Sequence, residues 1–114
     1  GRIINLASSS AWSPPPAFTG YITSKMANVG LTRALARELG DHGITVNAIA
    51  PGLTRTASAE AELPPGIWEH VRAQQLIHRT GEPSDLVGAL SFLCSDDAAF
   101  ITGQTWHVDG GAVL

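Results

Sequence analysis

Gly20-Tyr21-Ile22-Thr23-Ser24-Lys25 contains the only tyrosine and the only lysine of the 114-residue chain. Four positions separate them. On a helix such a pair shares one face, about 5–6 Å apart at Cβ, so an ammonium would stand beside a phenol. A nearby positive charge favours the phenolate, which makes the phenol a usable proton donor or acceptor near neutral pH. An exposed Tyr/Lys pair serving only helix solubility has the same spacing, so the pair alone leaves both readings open. The sequence around it reads as a helix from about Gly20 to Leu39, with Gly40 and Gly43 as stop signals. Met26, Val29, Leu31, Leu35 and Leu39 supply its apolar positions. Ala27, Gly30 and Ala34 form a small-residue stripe that lets another backbone approach closely.

Upstream of this helix, Arg2–Ala7 (RIINLA) is a short apolar run that reads as a strand buried in a parallel sheet. Ser8 then stands at the strand's carboxyl end, the edge where open α/β sheets bind ligands. Ser9–Thr19 carries Trp12, Pro14-Pro15-Pro16 and Phe18. The prolines favour an extended loop, whose aromatic residues either pack the loop or wall a pocket.

Downstream, Ile44–Ala50 (ITVNAIA) reads as the next strand and Pro51-Gly52 as its end. Glycine there would allow close approach to a ligand. Ala57–Leu76 is the least regular part. Pro64-Pro65 offers a helix start, and Ile67, Trp68 and Val71 give a partial apolar face. Leu86, Leu90 and Leu93 place a helix over Pro83–Cys94. Ser95 with Asp96 and Asp97 reads as a capped helix start rather than a catalytic carboxylate pair. Thr105–Val108 is the last strand, and Asp109-Gly110-Gly111 is a turn.

The ordered set of Ser8, the Tyr21/Lys25 pair, Gly43–Gly52 and Phe100–Gly111 resembles the short-chain dehydrogenase/reductase family along essentially the whole chain. The nearest subfamilies are 3-oxoacyl-carrier-protein reductases and secondary- or aryl-alcohol dehydrogenases. The resemblance implies an α/β fold, the C-terminal half of a doubly wound parallel-sheet Rossmann fold. Members are about twice this long and carry a glycine-rich phosphate turn near their N-terminus. No such turn occurs here, so residues 1–114 are expected to be the catalytic half of an NAD(P)-binding domain without its dinucleotide-phosphate half. NAD or NADP is the implied cofactor, the choice being set at the end of the second strand of such folds.

Carried over residue by residue, the resemblance implies Tyr21 as general acid/base, Lys25 as holder of the nicotinamide ribose, and Ser8 as a donor to the substrate oxygen. Pro51, Gly52, Thr54 and Thr56 would form the nicotinamide-side loop, with the Thr54 backbone on the carboxamide. Ser10, Trp12, Phe18 and Trp68 are expected at the substrate, with the Ala57–Leu76 segment as a lid. Ala11 stands where many relatives have glycine, which alters the substrate loop. In relatives the long helix packs on its counterpart in a second subunit, so a homotetramer or homodimer is implied for a full-length protein, in the cytoplasm.

Composition agrees with a cytoplasmic globular protein and excludes several classes. The chain is 44% hydrophobic and 15% charged, with net charge −3, which provides no basic footprint for nucleic acid or an anionic membrane. No apolar run approaches the roughly 20 residues of a membrane span, and the first residues lack a signal-peptide pattern. A lone Cys94 leaves no internal disulfide. Ser8 lacks the Gly-x-Ser-x-Gly elbow of a serine hydrolase, and His42, His70, His78, His107 and Cys94 lack metal-ligand spacing. The main alternative to an oxidoreductase is a truncated, inactive dehydrogenase domain that acts only as an interaction module. Because Ser9–Gly20 contains no cation, the expected substrate is an apolar, uncharged ketone or secondary alcohol, aryl-alkyl in preference to sugar-like or acidic.

Overall fold

Three parallel strands set the frame of the computed structural model, which describes residues 1–114. In chain order the elements are β1 (Arg2–Leu6), α1 (Thr19–Leu39), β2 (Thr45–Pro51), α2 (Ala57–Glu62), α3 (Ile67–Gln74), α4 (Ser84–Cys94) and β3 (Thr105–Val108). The spatial order is β1-β2-β3, with Ile3 opposite Val46 and Ile49 opposite Trp106. β2 is central, and its residues Thr45–Ala50 are all buried. A parallel strand covered on both faces needs such a nearly continuous apolar run.

Alternation along β2 divides the core in two. Ala50 faces α1 and packs with Ala7 and Val29. Ile49 points to the opposite face, where Leu93 and Ala98 join it with Leu86, Leu90 and Trp106 around them. One helix on each face of a parallel sheet is the doubly wound arrangement expected from the sequence. Asn47 is fully buried on β2, and its polar atoms are satisfied: Nδ2 donates to the Ile101 carbonyl at 2.8 Å and Oδ1 accepts from the Gln104 amide at 3.1 Å. Without those partners a buried carboxamide would be costly.

Some details differ from the sequence expectation. Ser9–Ala11 forms a 3-10 turn before the proline run rather than starting an extended loop. The Ala57–Leu76 segment contains two short helices, not one: the Thr56 hydroxyl caps α2 by accepting from the Ala59 amide at 3.1 Å, and α3 starts after Pro64-Pro65. Met26 and Leu31 are exposed, so α1 presents Val29 and Thr32 to the sheet while Ala27, Gly30 and Ala34 lie on its open side. Ser95 does cap a helical turn, its hydroxyl accepting from the Asp97 amide at 3.2 Å, but the turn is a 3-10 segment over Asp96–Ala98. No helix is long and apolar enough to cross a membrane.

The ends of β2 and β3 meet at Gly52. A Cβ built there would sit 2.8 Å from the Asp109 Cα and Cβ atoms, so the close approach of the neighbouring strand end requires glycine here. Gly52→Ala must displace backbone on one side or the other. It is expected to destabilise the full-length protein by about 1–3 kcal/mol, the usual cost of overpacking. Chemical denaturation reads this as a lower midpoint at unchanged m; an unmoved midpoint would mean that the contact yields freely.

A second expectation concerns acid. The Arg79 guanidinium grips the Asp85 carboxylate with two bonds of 2.6 Å, and the Glu82 amide donates to the same carboxylate at 2.8 Å. The Arg79 hydrogen bonds, followed by the Glu82 amide, lower the Asp85 pKa from 3.8 to about 2. A carboxyl whose pKa is depressed on folding stabilises the fold fully above its unfolded pKa, and that contribution disappears as pH falls through the folded value. Asp85→Asn should therefore lower stability by a constant amount above about pH 4, and the deficit should close towards pH 2. Melting curves of both proteins over that range measure it, and a deficit that persists at pH 2 would contradict it.

Candidate active site

The carboxyl ends of β1 and β2 open into a cleft of about 940 Å³, with the amino-terminal turns of α1 on one side and α2 and α3 on the other. Parallel strands make this edge the natural ligand site, since the chain leaves each strand there in a loop. Ser8, Ser10, Phe18, Tyr21, Lys25, Pro51, Gly52, Thr54 and Thr56 all line this cleft. Residues far apart in sequence therefore share one space.

Lys25 is positioned through the backbone of β1. Its Nζ donates to the Leu6 carbonyl at 3.2 Å, and the Asn28 Nδ2 donates to the same oxygen at 3.1 Å. The ammonium lies 5.6 Å from the centroid of the Tyr21 ring. An ammonium has three N–H donors, so the Leu6 bond leaves others for the cleft. Tyr21 is 43% exposed, with Phe18 edge-on to its ring at a centroid distance of 5.8 Å. Ser8 is buried two residues beyond β1, and its Oγ lies 2.6 Å from that of Ser10. One hydroxyl donates to the other, which leaves a single proton of the pair available to a third group.

The loop after β2 has unused donors as well. The Thr54 hydroxyl donates to the Gly52 carbonyl at 3.1 Å, while the Thr54 amide makes no hydrogen bond within the chain. Thr56 accepts from Ala59 as the cap of α2 and retains its own hydroxyl proton. The cleft thus presents an ammonium, a phenol, a serine pair, a free amide and a threonine hydroxyl.

Two expected residues are placed elsewhere. Trp12 does not line the cleft; it packs edge-on against His107 with ring centroids 4.4 Å apart. Trp68 does not line the cleft either; it is half-buried, with the Arg55 guanidinium 6.0 Å from its ring centroid. In their place the α3 wall is made by Ile67, His70, Val71 and Gln74. Asp109 contributes as well, although its sequence context gives no sign of it. It is buried, and its carboxylate accepts from the Gly111 and Val113 amides at 2.9 and 3.2 Å. It thereby fixes Ala112 and Val113 at the cleft wall. An aspartate followed by two glycines reads as a turn, and only the tertiary structure shows what the turn holds.

A family model described as enoyl-(acyl carrier protein) reductase matches residues 1–113. The (2S)-[(R)-hydroxy(phenyl)methyl]succinyl-CoA dehydrogenase subunit BbsD of Thauera aromatica is 46% identical over 114 residues, covering 100% of this chain and 45% of that protein. The 3-oxoacyl-[acyl-carrier-protein] reductase FabG of Haemophilus influenzae is 43% identical, covering 100% of this chain and 47% of that protein. The structure of 4-hydroxyisoleucine dehydrogenase complexed with NADH superposes with a TM-score of 0.87 at 36% identity, covering 99% of this chain and 46% of its own. The chain spans about half the length of the curated relatives it matches. With the family model extending over nearly every residue and the sheet, helices and cleft disposed as described, the chain belongs to the short-chain dehydrogenase/reductase family.

Proposed function

We propose that this chain carries the Ser-Tyr-Lys site of an NAD(P)-dependent oxidoreductase that interconverts a ketone and a secondary alcohol. The observation that carries the reading is the convergence of Ser8, Tyr21 and Lys25 on one cleft at the carboxyl ends of parallel strands. Relatives named as dehydrogenases and reductases, and a neighbour solved with NADH, support it. The donor set also fits a nicotinamide nucleotide. Lys25 would hold the ribose hydroxyls, the unpaired Thr54 amide would meet the carboxamide, and the Thr56 hydroxyl proton is free for the carboxamide or a phosphate. When bound, the nicotinamide supplies or accepts the hydride.

The chain's own residues handle the oxygen and its proton. Reduction of a carbonyl builds negative charge on oxygen, and positioned donors in a sheltered site stabilise that charge. Tyr21 Oη delivers the proton to this oxygen and takes it back in the reverse direction. Ser8 donates a hydrogen bond to the same atom. The 2.6 Å contact with Ser10 orients Ser8: when Ser10 donates to Ser8, the Ser8 proton points to the substrate. Lys25 sets a positive charge beside the phenol. Within the same reading the full-length protein is a cytoplasmic homotetramer or homodimer, supported by Met26 and Leu31 on the uncovered side of α1.

In the full-length enzyme, Tyr21→Phe should lower kcat by at least about a hundredfold, the scale of general acid/base catalysis. Lys25→Ala should lower turnover comparably and weaken NAD(P)H binding, read by calorimetry. Wild-type turnover in Tyr21→Phe would remove the proton role from this residue. Undiminished nucleotide affinity in Lys25→Ala would remove the ribose from Lys25.

A further inference from the structure

The cleft-facing side of α3 has a pattern that the Ser-Tyr-Lys chemistry leaves unused. Ile67, His70, Val71 and Gln74 line the cleft at the spacing of one helical face. Elsewhere on α3, Arg72 donates to Glu69 of the same helix at 2.7 Å, and Trp68 lies beside Arg55. Of the charged groups that line the cleft, Glu62 accepts from Ser58 at 2.7 Å, while Lys25, bonded to the Leu6 carbonyl, keeps further N–H donors. The imidazole of His70 and the carboxamide of Gln74 make no side-chain hydrogen bond within the chain, and both are exposed to the cleft. They stand one turn apart on the same face, close enough to bond one ligand group together.

We infer that His70 and Gln74 form a second polar anchor for the substrate, binding a carbonyl or carboxylate oxygen distinct from the oxygen held by Ser8 and Tyr21. This rests on the oxidoreductase reading above and refines its substrate class. An imidazole and a carboxamide can each donate an N–H, and a carbonyl or carboxylate oxygen, with two lone pairs, can accept from both at once. Phe18, Leu63, Ile67 and Val71 line the apolar remainder of the cleft. Apolar walls with a few placed polar groups fix a ligand's orientation. The substrate is therefore a keto compound, or its alcohol, with an apolar body and a second oxygen function: a keto ester, keto thioester or keto acid. A plain aryl-alkyl ketone would fill the walls and leave both donors without a partner.

The test uses the full-length enzyme and three ligands on one carbon frame: a phenyl alkyl ketone, its methyl-ester analogue and its carboxylate analogue. Calorimetric Kd values, which need no turnover, are measured beside kcat/KM. The wild type should bind the ester or the carboxylate about tenfold or more tightly than the plain ketone. Whichever of the two is preferred identifies the oxygen function. His70→Phe and Gln74→Leu should each reduce the preference severalfold, and the double variant should abolish it. His70→Gln, which restores an N–H donor, should retain it. A wild type without the preference, or a double variant that keeps it, overturns the anchor. Failure of the underlying reading has a different signature, undiminished turnover in Tyr21→Phe, and the Kd contrast is read independently of it.

Discussion

The Leu6 carbonyl is the point on which the site depends. It lies at the carboxyl end of an edge strand, and two side chains from α1 converge on it, Lys25 at 3.2 Å and Asn28 at 3.1 Å. One turn further along, the Asn5 Nδ2 donates to the Thr32 hydroxyl at 2.9 Å, which donates in turn to the Asn28 carbonyl at 2.7 Å. Thr32 is fully buried, so this chain of bonds lies where polar groups must be satisfied. Linked polar groups at low dielectric reinforce one another, and together these bonds fix α1 in register over β1. Ser8 follows β1 by two residues and Tyr21 opens α1. Their meeting in one cleft is a consequence of that register.

A second set of contacts governs the other wall. Gly52 and Asp109 touch where β2 and β3 end, and the Gln75 Nε2 donates to the Asp109 carbonyl at 3.1 Å. The Leu76 and Ile77 amides both donate to the Gly110 carbonyl at 2.9 Å. At the other end of the same segment, the Arg55 amide donates to the Gly81 carbonyl at 2.8 Å. Residues 56–74, which include α2 and α3, are thus held at one end by Gly81 in the loop before α4 and at the other by the turn after β3. None of the residues in this segment is fully buried. Local opening is cheapest where little apolar surface is lost, so this segment opens more readily than the strands it adjoins.

Much of this architecture is legible in the amino-acid sequence. The strands announce themselves through isoleucine- and valine-rich runs, and α1 through its glycine stops and the Tyr21/Lys25 spacing. Local chemistry suffices there because each signal lies within a few residues of what it specifies. The features that are not legible depend on pairs far apart in the chain. Trp12 looks like a pocket aromatic until the fold sets His107 against it. Trp68 looks like a residue of the substrate wall, yet Arg55 lies beside it and the adjacent face of α3 lines the cleft. His70 and Gln74 share helical spacing with Ile67 and Val71, a signal present in the sequence but hidden by the larger ring next to them. The close contact of Gly52 with Asp109 likewise joins residues far apart in the chain.

The distribution of charge explains why a single lysine can matter in a chain of net charge −3. Arg2 pairs with Asp96, Arg55 with Glu60 and Glu82, Arg72 with Glu69, and Arg79 with Asp85. Each of these cations has a carboxylate beside it, so its field is largely cancelled a short distance away. Lys25 is bonded to a carbonyl, which orients the ammonium without neutralising it. Its positive charge therefore persists in the cleft, 5.6 Å from the centroid of the Tyr21 ring. Coulomb attraction strengthens as water is displaced, so a ligand that fills the apolar walls raises the effect of that charge on its own oxygen.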